Sequence, residues 1–221
     1  MAGDAAAVTG SRFSGPFVTI KVGAESDQPA TFTVHETLIK KSHDFFRVAM
    51  DKKWKEGQRR EIELPNDDPE VIGSFVQWMY TDNITVIPTY EMKLEESNKQ
   101  YVQLAHMYVF GEKIQNIAFQ NAVLSAILMA RDGKAGNERA VRSPIKEAVK
   151  IIYDGTLPGS NARKLMAFIH VEGGKADWLG KDAKEHHPDF LFDSVQAFLA
   201  KRTVAGLCGL YEQRAKWLLP E

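Results

Sequence analysis

Between residues 32 and 80 the spacing of apolar side chains changes from the strand period to the helix period, back to the strand period, and again to a helical stripe, in fewer than fifty residues. So many changes leave almost nothing for loops. This stretch is therefore confined to short strands and helices packed directly on one another. Phe32 and Val34 alternate with Thr31 and Thr33, which predicts a strand over 30–34. Upstream, Val18, Ile20 and Val22 alternate with Thr19 and Lys21 over 17–22, and the turn residues of 23–29 join the two runs into a hairpin. After His35 come Leu38 and Ile39 at helical spacing, then a second short helix that Ser42 is placed to cap, with Asp44 in its first turn and Phe45, Phe46, Ala49 and Met50 on one face. Ile62 and Leu64 mark a strand over 61–64, stopped by Pro65. The clearest helix start follows: Asp68 as N-cap, Pro69 where its missing N–H costs nothing, Glu70 against the dipole, then the stripe Val71, Ile72, Phe75, Val76 and Met79.

Downstream, 84–87 reads as an edge strand ahead of Pro88, and 89–98 as a charged loop. Ser97 then caps a helix carrying Tyr101, Leu104, Ala105 and Tyr108, which ends at Gly111 and forms a hairpin with a second helix over about 114–129. Residues 131–142 are polar with two glycines and make the best boundary in the chain. Beyond them Ser143-Pro144 opens a helix with Ile145, Ala148, Val149 and Ile152 on one face, and 154–160 turns the chain. Ala162, Leu165, Met166 and Ile169 mark another helix closed by Gly173-Gly174. Pro188 opens a last helical region through Leu191, Val195 and Phe198, which Gly206 and Gly209 interrupt before Trp217. The expected organisation is a disordered tail over 1–12, an α+β domain over 13–130 with a small sheet of short strands on a cluster of helices, a linker over 131–142, and an all-α region over 143–221.

The formal net charge of -1 offers no overall field to draw in nucleic acid or a membrane. The single cysteine, Cys208, allows no internal disulfide and points to the cytosol or nucleus. No export signal and no apolar run of spanning length is read. The sequon Asn83-Ile84-Thr85 is read as a turn after a helix.

Each candidate for chemistry meets a simpler reading. His35-Glu36 begins like a zincin helix, but Ile39 stands where the second histidine belongs, so His35 is assigned a structural role, its ring bonding backbone. His186-His187 lack further ligands and read as a solvated turn. Gly173-Gly174-Lys175 is followed by Ala176 where a phosphate loop needs Ser or Thr. Cys208 has no histidine nearby, and Asp67-Asp68 is explained by capping. No catalytic, cofactor or metal site is expected, and the chain is not read as an enzyme. Eight bases, Lys40, Lys41, Arg47, Lys52, Lys53, Lys55, Arg59 and Arg60, stand against the three acids Asp44, Asp51 and Glu56. The acids Glu61, Glu63, Asp67, Asp68 and Glu70 follow at once and are expected to compensate them. The alternative is a nuclear, transcription-related factor whose basic run contacts an acidic partner or nucleic acid.

Four pieces of the chain, FVTIKVG, FTVHETLIKKSHDFF, IELPNDDPEVIGSFVQWMYTDNI and YVQLAHMYVFGEKI, resemble in order and spacing the BTB/POZ family over about 13–129. The flavour resembles the short fungal members that carry this module and a helical C-terminal region, to which LPGSNARKLMAFIHVEGG is more loosely similar. The resemblance implies a non-enzymatic adaptor that presents surfaces to other proteins, by self-association and by docking a cullin-type ubiquitin-ligase scaffold, with a client still to be named. It also implies where to look. Self-associating members carry an aspartate before the first strand and a cation after the Val-His pair, whereas this chain has Gly15-Pro16 and Glu36 there. With no apolar stripe over 1–12 either, Pro16 and Glu36 mark an altered self-association surface, and a monomer or a dimer other than the swapped one is expected. Members that bind the scaffold carry a hydrophobic residue, any residue, then glutamate after the second short helix, and Trp54-Lys55-Glu56 occupies that place, with Lys52 and Lys53 beside it. An aromatic anchor with a carboxylate two residues on suits a docking site.

Overall fold

The computed structural model describes residues 15–25, 28–42, 44–51, 53–131, 142–174, 176–180 and 182–201. The readings for 1–12, Lys52, Lys175, Cys208 and Trp217, and most of the linker, lie outside them.

Three strands form one sheet in the order β2-β1-β3. The central β1 (Phe17–Val22) pairs antiparallel with β2 (Ala30–His35), setting Val18 opposite Val34 and Ile20 opposite Phe32. On its other side β1 pairs in parallel with β3 (Glu61–Leu64), setting Ile20 against Ile62 and Val22 against Leu64. Because side chains alternate along a strand, Val18, Ile20, Val22, Val34, Ile62 and Leu64 all become buried together. A parallel neighbour requires a crossover, and the three short helices α1 (Glu36–Ser42), α2 (Asp44–Ala49) and α3 (Lys55–Arg59) supply it.

The capped helix α4 (Pro69–Thr81) starts as its sequence dictates. Asp68 is extended and its Oδ1 accepts the Glu70 N–H at 2.8 Å, with Pro69 in the first turn. Phe75, at the middle of its buried stripe, lies 5.6 Å from the Phe46 ring, 5.4 Å from Phe110 and 5.0 Å from Phe119. One side chain thus joins α2 and α4 to the helix hairpin α5 (Leu94–Lys113) and α6 (Ile117–Arg131).

Several expectations are corrected here. α1 runs through Ser42, so the backbone of that residue belongs to the first short helix. Residues 84–87 join no sheet; the Gln100 side-chain amide takes the place of a strand by bonding both the N–H and the C=O of Ile87 at 2.9 Å. Most of the expected loop over 89–98 is helical: Thr89–Glu91 forms a short 3-10 turn and α5 begins at Leu94, its start held by the Glu96 carboxylate accepting the Lys93 N–H. Ser97 is buried inside that helix. Gly111 does not end it; it sits where a Cβ would come within 3.1 Å of the Phe119 and Gln120 side chains, so its smallness lets α6 approach. The hairpin turns at Gln115, in the left-handed region at φ 57°, and Asn116 caps α6 by accepting the Phe119 N–H at 2.9 Å.

The C-terminal helices α7 (Lys146–Gly155), α8 (Asn161–Gly173), α9 (Ala176–Leu179) and α10 (Pro188–Lys201) continue the same hydrophobic core, which extends from Val18 to Phe190. α7 begins later than Ser143-Pro144, because 142–145 are used to fasten it down. The Arg142 guanidinium donates to the carbonyls of Thr89 and Met92, and the Arg142 carbonyl accepts the Tyr101 hydroxyl at 2.7 Å. Burial pushes the Tyr101 hydroxyl pKa well above its ordinary value, keeping it a donor. At the other end of α7, Glu112 accepts from the Leu157 N–H and the Ser160 hydroxyl. Among the described residues no helix is long and apolar enough to cross a membrane.

Candidate docking groove

α2 presents two apolar faces. Phe46 and Met50 point into the core, while Phe45 and Val48, three residues apart, point out. After α2 the chain turns through 51–54. The Asp51 carbonyl accepts the Trp54 N–H at 2.9 Å, and its carboxylate accepts the Lys53 N–H at 3.0 Å. Trp54 occupies the N-cap position of α3 in an extended conformation, and its side chain is 58% exposed. Gly57 determines how close α3 comes. A Cβ there would lie 2.3 Å from the Asp51 carbonyl oxygen, so only glycine lets the helix rest on that turn. Arg60 then adopts φ 54° and delivers the chain into β3.

The result is a groove of about 530 Å³ lined by Phe45, Val48, Ala49, Trp54, Glu56, Lys113, Ile114 and Gln115. Its floor is apolar and its rims carry opposite charges. Lys113, at the end of α5, is held by both oxygens of Asp67 at 2.7 and 2.8 Å, and Glu56 stands on the α3 side. Trp54 therefore does not fold back as a core residue. Trp54 and Glu56 share one surface, and Lys53 lies beside it, exposed. Phe45, expected on one face with Phe46, Ala49 and Met50, is corrected to the groove side, where Val48, Gly57 and Lys113 join it without having been singled out by the sequence. The i, i+3 spacing of Phe45 and Val48 was a visible signal for a second apolar stripe, but Lys113 arrives from more than fifty residues away.

Pro16 and Glu36 are also brought together, at the far end of the sheet. The Pro16 carbonyl accepts the Glu36 N–H at 2.9 Å. The Glu36 carboxylate is mostly buried between Lys40 and Arg60, its own chain's cations. Within the basic run Lys40 and Arg60 pair with Glu36, whereas two of the acids expected to compensate the run pair outside it, Glu61 with Lys21 and Asp67 with Lys113. Asp67 is accordingly an ion-pair partner, and only Asp68 is a cap.

His35 and His186 have structural partners. The Tyr80 hydroxyl accepts the backbone N–H of His35 at 3.2 Å and shares a hydrogen bond of 2.7 Å with Nδ1 of its ring. His186 is buried, not solvated: its Nε2 donates to the Leu179 carbonyl at 2.8 Å and its ring packs on Trp178. Among the described residues no group of His, Cys, Asp and Glu could hold a metal ion.

A family model described as BTB/POZ domain matches residues 14–119, which include both strand pairs, α1 to α5 and every residue lining the groove. No curated protein matches the chain.

Proposed function

Because residues 14–119 make this chain a BTB/POZ domain protein, and so one that carries a protein-interaction module, we propose that it is a substrate adaptor that docks a cullin scaffold of a ubiquitin ligase in the groove between α2 and α3. The observation that carries this reading is the groove itself. A tryptophan more than half exposed, next to Phe45 and Val48, is the kind of anchor on which binding energy concentrates. Glu56 and Lys113 on opposite rims give a partner helix a charge register. The helices after 143 would then hold the client, away from the scaffold. The nucleic-acid alternative has less support, since Lys40 and Arg60 are engaged by Glu36.

Calorimetry with purified cullin and the full chain tests this. Trp54→Ala is expected to weaken binding by about 2 kcal/mol, roughly thirtyfold, and Glu56→Lys to abolish it. Absence of binding by the natural chain, or equal binding by both variants, sinks the proposal.

A further inference from the structure

The hairpin between α5 and α6 turns on a residue that its backbone does not favour. Ile114 and Asn116 are buried on either side of Gln115. The Gln115 N–H donates to the Glu112 carbonyl at 3.0 Å, and the Asn116 N–H to that of Gly111 at 2.8 Å. The turn is thereby pinned, and it holds Gln115 at φ 57°. Glycine adopts that left-handed conformation without steric cost and is the usual residue past a helix end, whereas any side chain there carries strain.

Arg60, at φ 54°, offsets the same strain within the chain, since its guanidinium pairs with Glu36. Gln115 has no such contact. Among the described residues its amide meets no hydrogen-bond partner, and the side chain is exposed along the groove with Phe45, Trp54 and Lys113. A strained residue whose side chain does nothing for its own fold, in the wall of a groove, points to a role toward what the groove binds.

The amide is uncharged and offers both N–H donors and an acceptor. The molecule contains an example of what such a group does: the Gln100 amide bonds the N–H and the C=O of Ile87, both at 2.9 Å. A docked helix leaves backbone N–H or C=O groups unpaired at its ends, and an amide in the groove wall is suited to satisfy them.

We propose that Gln115 is a specificity-determining residue of the groove, its side-chain amide pairing with an unpaired backbone group at the end of the partner's docked helix. The inference rests on the reading that the groove docks a cullin scaffold. To the aromatic anchor and the charged rims it adds a contact that responds to where the partner's helix ends.

Two variants of the full chain separate this role from a structural one. Gln115→Gly removes the amide and relieves the strain, while Gln115→Ala removes the amide and keeps the strain. In calorimetry with purified cullin both are expected to bind about fivefold more weakly than the natural chain. In urea unfolding the midpoint of Gln115→Gly is expected to lie above that of Gln115→Ala. Weaker binding by a more stable chain is a combination that a residue serving only the fold does not give. Natural affinity in either variant, with Trp54→Ala still weakening binding, overturns the proposal and leaves the docking reading standing. A midpoint no higher for Gln115→Gly than for Gln115→Ala also overturns it. Absence of binding by the natural chain, or binding that Trp54→Ala leaves unchanged, sinks the docking reading and this proposal with it.

Discussion

The two ends of this molecule are built on opposite terms. In the sheet and α1 to α6 the interior is apolar: Val18, Ile20, Ile39, Phe46, Ile72 and Phe75 are fully buried, and among the described residues the polar ones buried as deeply are the small, uncharged Thr89, Ser97 and Asn116, the Glu36 carboxylate remaining at the edge. In α7 to α10 the interior takes in Thr156, Arg163, His170 and His186, while Phe168, Phe192, Val195, Phe198 and Leu199 stand outside. At the first end Phe45, Val48 and Trp54 line one groove beside α2, while Phe17, Ile87, Leu94, Ile117, Leu128 and Met129 are exposed singly or elsewhere. At the second, Phe192, Val195 and Leu199 form a stripe on α10, with Leu157, Phe168 and Leu179 exposed outside it. A fold held by apolar burial tolerates local change, whereas one held by buried polar groups depends on each group keeping its partners.

Arg163 is the sharpest point of that difference. Its guanidinium donates to the carbonyls of Tyr153 and Thr156 and to the Thr156 hydroxyl, reaches Asp189 at 3.2 Å, and lies over the Tyr153 ring. The Tyr153 hydroxyl in turn donates to Asp193 at 2.9 Å, and burial together with that carboxylate holds its pKa far above the ordinary value. Arg163→Ala leaves buried carbonyls without donors and is expected to cost about 3 kcal/mol in urea unfolding. In hydrogen exchange, protection should fall in α7, α8 and α10 while the sheet keeps its own. Equal loss in the sheet would erase the distinction between the two ends.

Gly57→Ala probes the other end. The new methyl group meets backbone at Asp51, which cannot rotate away, and about 1–3 kcal/mol of destabilisation is expected, with the proposed cullin binding weakened as Trp54 moves. Unchanged stability would mean that α3 does not depend on its seat against that turn.

The smallest effect is a dependence on pH. His170 places Nδ1 2.7 Å from the Met166 carbonyl and Nε2 3.1 Å from that of Pro144. Burial lowers its pKa, the two carbonyls oppose this, and Arg131 and His186 lower it further. The folded state therefore binds the proton less readily than the unfolded chain, whose histidine titrates near about 6.5. The stabilisation is present above that pH and is lost as pH falls through it toward the depressed folded value. Urea midpoints at pH 7 and pH 5 should differ less in His170→Phe than in the natural chain; an identical difference rules out the role.

Legibility followed the same division. The three strands were readable because half-buried strands alternate, and α4 was readable because Asp68-Pro69-Glu70 is a local signal that satisfies its own backbone groups. Phe190 was missed in favour of Val195 and Phe198, since a helix apolar on both sides carries no sign of which side is inward. His186 read as solvated because a buried histidine differs from an exposed one only by the carbonyl and rings that meet it, and these lie in other elements.

The sequence by itself determined the three strands, the capped α4, the α+β module with helices after it, and the placing of Trp54 and Glu56 after α2, because period and capping act over a few residues. Tertiary structure decided that Glu36 answers Lys40 and Arg60, that Lys113 closes the groove with Asp67, and that Arg163 and His170 lie inside. Those outcomes depend on groups distant in the chain reaching hydrogen-bond distance, and no local pattern encodes that distance.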